Sequence, residues 1–342
     1  VSDWSSDVCS SDLFSLMLQH PHDIVDTNSH HDSTYVYTIT DYMIAKEVIQ
    51  KIQYIQQFDP RKISIFAATG FLSETTDYHD EIEGTDILFG GASAKAMKLM
   101  GDKQQGQLFL EDIWNKLSEE DRAIIGSAPL MPSTVVDPTN QASIQAAKDF
   151  ISTNGASMVK ASGGGGGAGI EEVKDPNQME KVVKNISAIA DGLFPGSVIK
   201  LEKKIENSRH IESQGMVAGD SAFNLNNQSQ SVMNLGDRDC SLQHNRAKRL
   251  EEQSFAVPNS DIEKKNHFIT KVLEQLKELG YQGPITMEFL YDGQFYFMEA
   301  NTRIQIEHPV SGMAYGDPNL IAKLMVAAAL GVKYDIPAKK DG

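Results

Sequence analysis

Residues 287–299 constrain the fold most. Two apolar-rich stretches flank Asp292-Gly293, a pair that closes tight β-hairpins, so this part of the chain is bound to antiparallel pairing. With a two-residue turn, Glu288 is expected opposite Phe297 and Glu299 becomes its diagonal neighbour on the same face, Cα atoms about 7–8 Å apart. Two converging carboxylates plus Asn301 make an all-oxygen set suited to Mg²⁺ or Mn²⁺, ions that keep water and take further ligands from a phosphate. The alternative is an edge hairpin with solvated acids.

The run immediately after the hairpin decides between them. In an extended chain alternate side chains point the same way, so residues 301–309 are expected to put Asn301, Arg303, Gln305 and Glu307 on one face. Thr302, Ile304, Ile306 and His308 take the other. An amide, a fixed cation, a second amide and a carboxylate in register suit a site that holds a small anion and moves a proton. The hairpin then reads as a metal platform running into a reactive strand.

The second chemical feature is Met158-Val159-Lys160-Ala161-Ser162, followed by Gly163, Gly164, Gly165, Gly166, Gly167, Ala168 and Gly169. A strand entering a glycine loop can aim consecutive backbone N–H groups at phosphate oxygens, because glycine allows the φ values and the close approach required. Lys160 adds a point charge. The loop fits neither the Walker nor the dinucleotide pattern. A flexible linker is its bland reading, and the apolar strand ending in lysine favours a mobile phosphate lid.

Around these features the pattern is α/β. Helices are expected over 40–58, 92–100, 107–117, 141–153, 178–191, 261–279 and 319–330, with Gly155, Gly280 and Gly331 as stops. Strands are expected over 62–68, 158–161, 197–205 and 211–218, besides the hairpin. Residues 118–140, polar and broken by Pro129, Pro132 and Pro138, read as a connection.

The 342 residues suffice for two or three subdomains, and a net charge of −16 argues against nucleic acid or an anionic membrane as partner. Sites for anionic substrates must therefore build a local positive field. Cys9 and Cys240 are too few for a disulfide framework or a zinc site, and no apolar stretch is long enough for a bilayer; the expected location is cytoplasmic. Residues 1–31 stand apart. They repeat Ser/Asp clusters without amphipathic period, the first dozen read as translated sequencing-adapter sequence, and His20, His22, His30 and His31 have no ordered frame that would make them ligands.

Several of these motifs, in this order, resemble the biotin carboxylase branch of the ATP-grasp superfamily over roughly residues 65–328. The stretch 299–310 is similar to the family's hallmark, Lys160-Ala161-Ser162 with the glycines to its lid loop, and 202–214 to the segment joining lid and core. Arg238-Asp239-Cys240-Ser241-Leu242-Gln243, Gly70-Phe71-Leu72-Ser73-Glu74 and Leu99-Met100-Gly101-Asp102-Lys103 match further signatures. The resemblance implies an ATP-grasp fold with a mobile glycine-loop lid at about 140–203 within residues 104–342. Residues 32–103 would be an incomplete Rossmann-like pre-ATP-grasp domain, with the C-terminal subdomain missing.

By the same resemblance Lys103 and Lys160 face ATP phosphates, Glu202, Lys203 and Ile205 line the adenine pocket, and His210 and Gln243 contact the nucleotide. Glu288, Glu299 and Asn301 bind Mg²⁺ or Mn²⁺. Lys248, Arg303, Gln305 and the backbone of Ile306 form a bicarbonate pocket, and Glu307 is the general base. The implied reaction is ATP-dependent carboxylation of biotin on a carrier protein or domain through carboxyphosphate, serving a carboxyltransferase partner, with homodimerisation a family trait. Departures weaken the biotin side: Phe66-Ala67-Ala68-Thr69-Gly70 lacks a tyrosine, Ala168 replaces a basic residue, and Arg246-Ala247 replaces a His-Gln pair. A fragment or a diverged relative is the expectation. The rivals are an ATP-binding module without catalysis and an ATP-grasp ligase with another carboxylate acceptor.

Overall fold

The computed structural model describes residues 44–57, 64–65, 73–162, 169–193, 196–218, 223–225, 228–244, 247–253 and 257–340. The glycine run 163–167, Ala168, residues 66–70, Arg246 and the tail 1–31 lie outside the described residues.

At the centre is a four-stranded antiparallel sheet in the order Val232–Asp239, Arg209–Val217, Gly283–Tyr291, Phe295–Asn301. Its two faces have opposite chemistry. Ile211, Met287, Phe289 and Phe297 join the core of helix Asn259–Glu278, where Phe268, Ile269, Val272, Leu273 and Leu276 recur at helical spacing and are fully buried. Each such side chain taken from water stabilises by about 1.5–3 kcal/mol, which anchors the sheet from behind. The other face is polar: Glu288 pairs across the ladders with both Glu212 and Glu299, and Thr286 with both Gln214 and Asn301. Nearer the Val217 end, helix Leu320–Leu330 closes that face with a separate apolar core containing Met216, Ile304 and Leu324.

The hairpin register differs from the expected one. Tyr291 pairs with Phe295, so the turn holds three residues, 292–294, with Gly293 at φ +117°. Left alone, that slip of one residue would carry Glu299 to the helix side of the sheet. A bulge restores the face: Phe289 pairs with Phe297 but Glu288 with Glu299, so Met298 is the extra residue between them. Glu299 is thus directly opposite Glu288 rather than diagonal to it.

The extended run expected over 301–309 also stops early. The strand ends at Asn301, the chain bends at Thr302 and Arg303, and Glu307 immediately precedes helix His308–Met313. Pro309 explains the switch, since it has no N–H for a ladder and suits the first helical turn.

A second four-stranded antiparallel sheet has the order Ser133–Val136, Ile199–Lys203, Ser157–Ala161, Ile170–Val173. Helices Gln141–Asn154 and Met179–Leu193 share its own apolar core, which includes Ile144, Ile151, Val159, Val183 and Leu201. Asn140 caps the first helix through Oδ1, and Gly155 stops it at φ +80°. Residues 118–140 are more ordered than a connection: Ser118 caps helix Glu119–Ile125, whose first turn is acidic as the helix dipole favours, and Ser133–Val136 pairs with Ile199–Lys203. Strand Val232–Asp239 is likewise unexpected, its polar residues hiding an edge strand of the central sheet. Of the strand expected over 62–68, Ser64–Ile65 is described, parallel to Leu88–Phe89. No helix among the described residues is long and apolar enough to cross a membrane.

Candidate active site

The polar face of the central sheet is organised by Arg238, a guanidinium with no solvent exposure. Arg238 Nη1 donates to Gln214 Oε1 and Ser311 Oγ, both at 2.9 Å, and Nη2 to Gln305 Oε1 at 2.8 Å and Glu212 Oε2 at 3.0 Å. One side chain therefore ties two sheet strands to the segment beyond the hairpin. A buried cation is tolerated only with such complete pairing.

Glu212, equally buried, passes the connection on: its other oxygen accepts from Lys248 Nζ, which also donates to Glu307 Oε1 at 2.6 Å. Burial opposes the charge of Glu307, but the hydrogen bond and charge of Lys248 outweigh it and hold the carboxyl below its ordinary range. Burial opposes the Lys248 ammonium too, and the charges of Glu212 and Glu288 more than compensate, raising its pKa. Lys248 and Glu307 form an ionised pair at neutral pH.

Beside this pair lies the acidic ladder. Glu288 accepts from His210 Nε2 at 2.8 Å and from Asn301 Nδ2 at 2.7 Å; Lys103 Nζ lies 2.7 Å from Glu299 Oε2. Burial would push Glu288 up, yet His210, Lys248 and Asn301 hold it at about 2. His210, lowered by burial, is raised overall by Glu288, and its Nδ1 lies 2.7 Å from Gln243 Nε2. Glu288, Glu299 and the Asn301 carbonyl are hard oxygen donors on one face, and each carboxylate already carries a cationic or donor partner. That chemistry fits a hard divalent cation.

Arg303 departs from its expected neighbours: its Nε pairs with Glu74 at 3.2 Å and its Nη2 reaches Asn301 Oδ1 at 3.5 Å. Gln305 is buried on Arg238, and Ile306 is 71% exposed.

Opposite, on the second sheet, Lys160 and Lys200 both pair with Glu202, the latter at 3.2 Å. Burial raises Glu202, but the two lysines outweigh it and keep it low. Lys203 ends the same strand, and Ile205 joins a small apolar cluster with Met131, Tyr296 and Leu290 between the sheets. Gln107 bridges them as well, donating to Met131 O at 2.6 Å and Ser133 Oγ at 3.0 Å.

The contacts of Arg238, Glu212, Gln214, Ser311 and Glu74 are not legible in the sequence. The usable signal was the period-two run His210, Glu212, Gln214 in a strand whose intervening residues are also buried: a strand covered on both faces has no reason to keep three polar side chains unless they meet partners.

With this geometry in view, residues 122–336 match the family described as carbamoyl-phosphate synthase L chain, ATP binding domain. The chain is 33% identical over 276 residues to a biotin carboxylase of Pseudomonas aeruginosa, covering 80% of this chain and 55% of that protein. Among solved structures, biotin carboxylase of Campylobacter jejuni in a β,γ-ATP complex superposes with a TM-score of 0.65 at 29% identity, covering 85% of this chain and 58% of that one. The biotin carboxylase domain dimer of Hydrogenobacter thermophilus 2-oxoglutarate carboxylase, in complex with Mg-ADP, ADP and bicarbonate, gives 0.64 at 29% identity with the same coverage. The chain spans about half the length of the curated relatives it matches.

Proposed function

We propose, from the premise that this chain belongs to the carbamoyl-phosphate synthase L chain, ATP binding domain family, that it is the ATP-grasp portion of a biotin carboxylase. It would carboxylate biotin with bicarbonate at the expense of ATP. The observation that carries the reading is the ionised Lys248–Glu307 pair beside the Glu288–Glu299 ladder. It puts a charged proton acceptor next to a cation platform, which nucleotide binding alone does not require.

In this reading Lys103, Lys160 and the glycine run 163–167 hold the phosphates, while Glu202, Lys203, Ile205, His210 and Gln243 hold the nucleoside. Glu288, Glu299 and Asn301 would hold Mg²⁺ or Mn²⁺, which when bound neutralises phosphate charge. Lys248, Arg303, Gln305 and the Ile306 backbone orient bicarbonate. Glu307 takes its proton, so that the oxygen can attack the γ-phosphoryl group and give carboxyphosphate and ADP. Carboxyphosphate then releases CO₂ to biotin, with Arg303 steadying the developing ureido oxyanion. Residues 104–342 form the ATP-grasp unit with a lid at about 140–203. Biotin on a carrier protein or domain, a carboxyltransferase and a second copy of the chain are the partners this reading implies, in the cytoplasm.

Incubating the chain with Mg-ATP, bicarbonate and free biotin tests it. ADP release that requires bicarbonate and rises with biotin is expected. ADP release indifferent to bicarbonate overturns the reading, and ATP binding without turnover is the result a binding-only module gives.

A further inference from the structure

Three carboxylates surround two cations on the polar face. Glu212 is shared by Arg238 and Lys248, Glu307 takes the remaining strong bond of Lys248, and the third acid is Glu251, with its Oε2 3.8 Å from Arg238 Nε. That distance is too long for a hydrogen bond, and Glu251 Oε2 is buried with no hydrogen-bond partner at all. Arg238 has nothing better to offer, because its Nη atoms serve Gln214, Ser311, Gln305 and Glu212 and its Nε leans to Glu212 at 3.4 Å. Cys240, whose Sγ lies within 4.8 Å of both Glu212 and Glu251 oxygens, is a thiol pushed up by burial and adds no compensating charge.

The charge count is unfavourable. Arg238 and Lys248 supply two positive charges and the neighbouring His210, 3.9 Å from Glu212, is matched by its partner Glu288, while Glu212, Glu307 and Glu251, all ionised, would supply three negative ones before any anionic substrate arrives. A buried carboxylate oxygen without a donor is costly, and protonating it removes most of the cost. Glu251 is the acid with the poorest pairing, so it is the one that should take the proton.

We propose that Glu251 is the proton holder of the bicarbonate pocket: protonated below neutrality, it leaves two carboxylates for two cations, and by ionising as pH rises through neutrality it repels the incoming anion. The inference rests on reading this pocket as the bicarbonate site. Burial first, then the charges of Glu307 and Glu212, raise Glu251 to about 7 against the opposing pull of Lys248 and Arg238. The same proton lets Glu307 stay ionised, since a third full charge beside it would press it toward protonation.

Carboxyl-labelled glutamate followed by NMR across a pH titration of the whole chain tests the proton directly. One glutamate signal is expected to titrate near neutrality and to vanish in Glu251→Gln. Glu251→Asp, which keeps a titratable group, identifies the signal if the amide variant does not fold. Glu251 titrating below about pH 5, like an ordinary glutamate, overturns the proposal. In parallel, ¹³C-bicarbonate affinity should fall about tenfold from roughly pH 6 to 9 in the wild type, as a unit charge a few ångströms away requires, and fall clearly less in Glu251→Gln. Equal falls in both proteins also overturn it. If neither protein binds bicarbonate, the reading of the pocket fails, and the carboxyl titration still decides the state of Glu251.

Discussion

In the proposed reading Glu307 is a base, a role open to it only while ionised, and Lys248 Nζ at 2.6 Å is the main influence keeping it so, with the charge of Arg238 helping, against the desolvation that burial imposes. Replacing Lys248 with Met removes the opposing force and leaves the burial, so the Glu307 pKa must rise. A group needed in its charged form loses activity as pH falls through its pKa. The acid limb of bicarbonate-dependent ADP release should therefore move to higher pH in Lys248→Met, by about one unit or more. Amplitude falls as well, since the proposed reading also puts Lys248 in the bicarbonate pocket, but the limb position is the diagnostic; an unmoved limb means that Lys248 does not set the charge of Glu307. At this scale the sequence is informative where chemistry is repeated locally. Asn301, Arg303, Gln305 and Glu307 stand out by residue type, although the extended spacing expected for them ends at Asn301, whereas Arg238 sits in a strand among ordinary polar residues, and nothing nearby reveals that partners 24 to 73 residues away converge on it. Arg303 shows the converse: its residue type was legible, but its ion pair with Glu74 depends on a segment that only folding brings near.

Among the elements, the central sheet holds a second buried charge on its helix side. Lys265 Nζ lies 2.6 Å from Asp237 Oδ1 and 2.6 Å from Ser213 Oγ, above the rings of Phe289 and Phe295. Burial lowers the Lys265 pKa, and Asp237 is the partner that resists the fall. Asp237→Ala strands an ammonium in the core joining helix Asn259–Glu278 to the sheet, and should cost about 3–5 kcal/mol in urea unfolding. The pair replacement Asp237→Leu with Lys265→Met should recover most of that loss. A double variant less stable than Asp237→Ala would mean the ion pair itself, rather than its disruption, governs stability. Helices of this kind were readable because their apolar period and glycine stops are local. The hairpin register was not, although its turn was: the third turn residue and the bulge at Met298 are chosen by which side chains pack on Phe289 and which face Glu212, and those competitors lie on other strands.

At the scale of the molecule, two of the large apolar cores among the described residues belong to the two sheets that carry the candidate site residues. One joins the central sheet to helix Asn259–Glu278; the other lies inside the second sheet with its two helices, and no described residue belongs to both. Among the described residues the links between them include the Met131, Ile205, Tyr296 and Leu290 cluster, the bonds of Gln107 to Met131, Ser133 and Lys200, and that of Phe297 N to Pro129 O. The sequence made the two halves legible as motifs in order, but not these links, which depend on distant residues meeting. Packed cores move as bodies, and a small junction is where they turn. In the proposed reading a nucleotide is gripped by Lys160 on one side and by Lys103 and His210 on the other, a coupling that the free protein lacks, so its binding would restrict the second sheet relative to the first. Hydrogen exchange should therefore slow in strands Ser157–Ala161 and Ile199–Lys203 when Mg-ATP is added, by about tenfold or more, equivalent to about 1.4 kcal/mol of added protection. Lys160→Ala should abolish that slowing while leaving nucleotide-free exchange in Arg209–Val217 and Gly283–Tyr291 unchanged, because its partner Glu202 retains Lys200. Protection confined to the central sheet in the wild type would show that the second sheet takes no part in holding the nucleotide, and the assignment of Lys160 would have to be withdrawn.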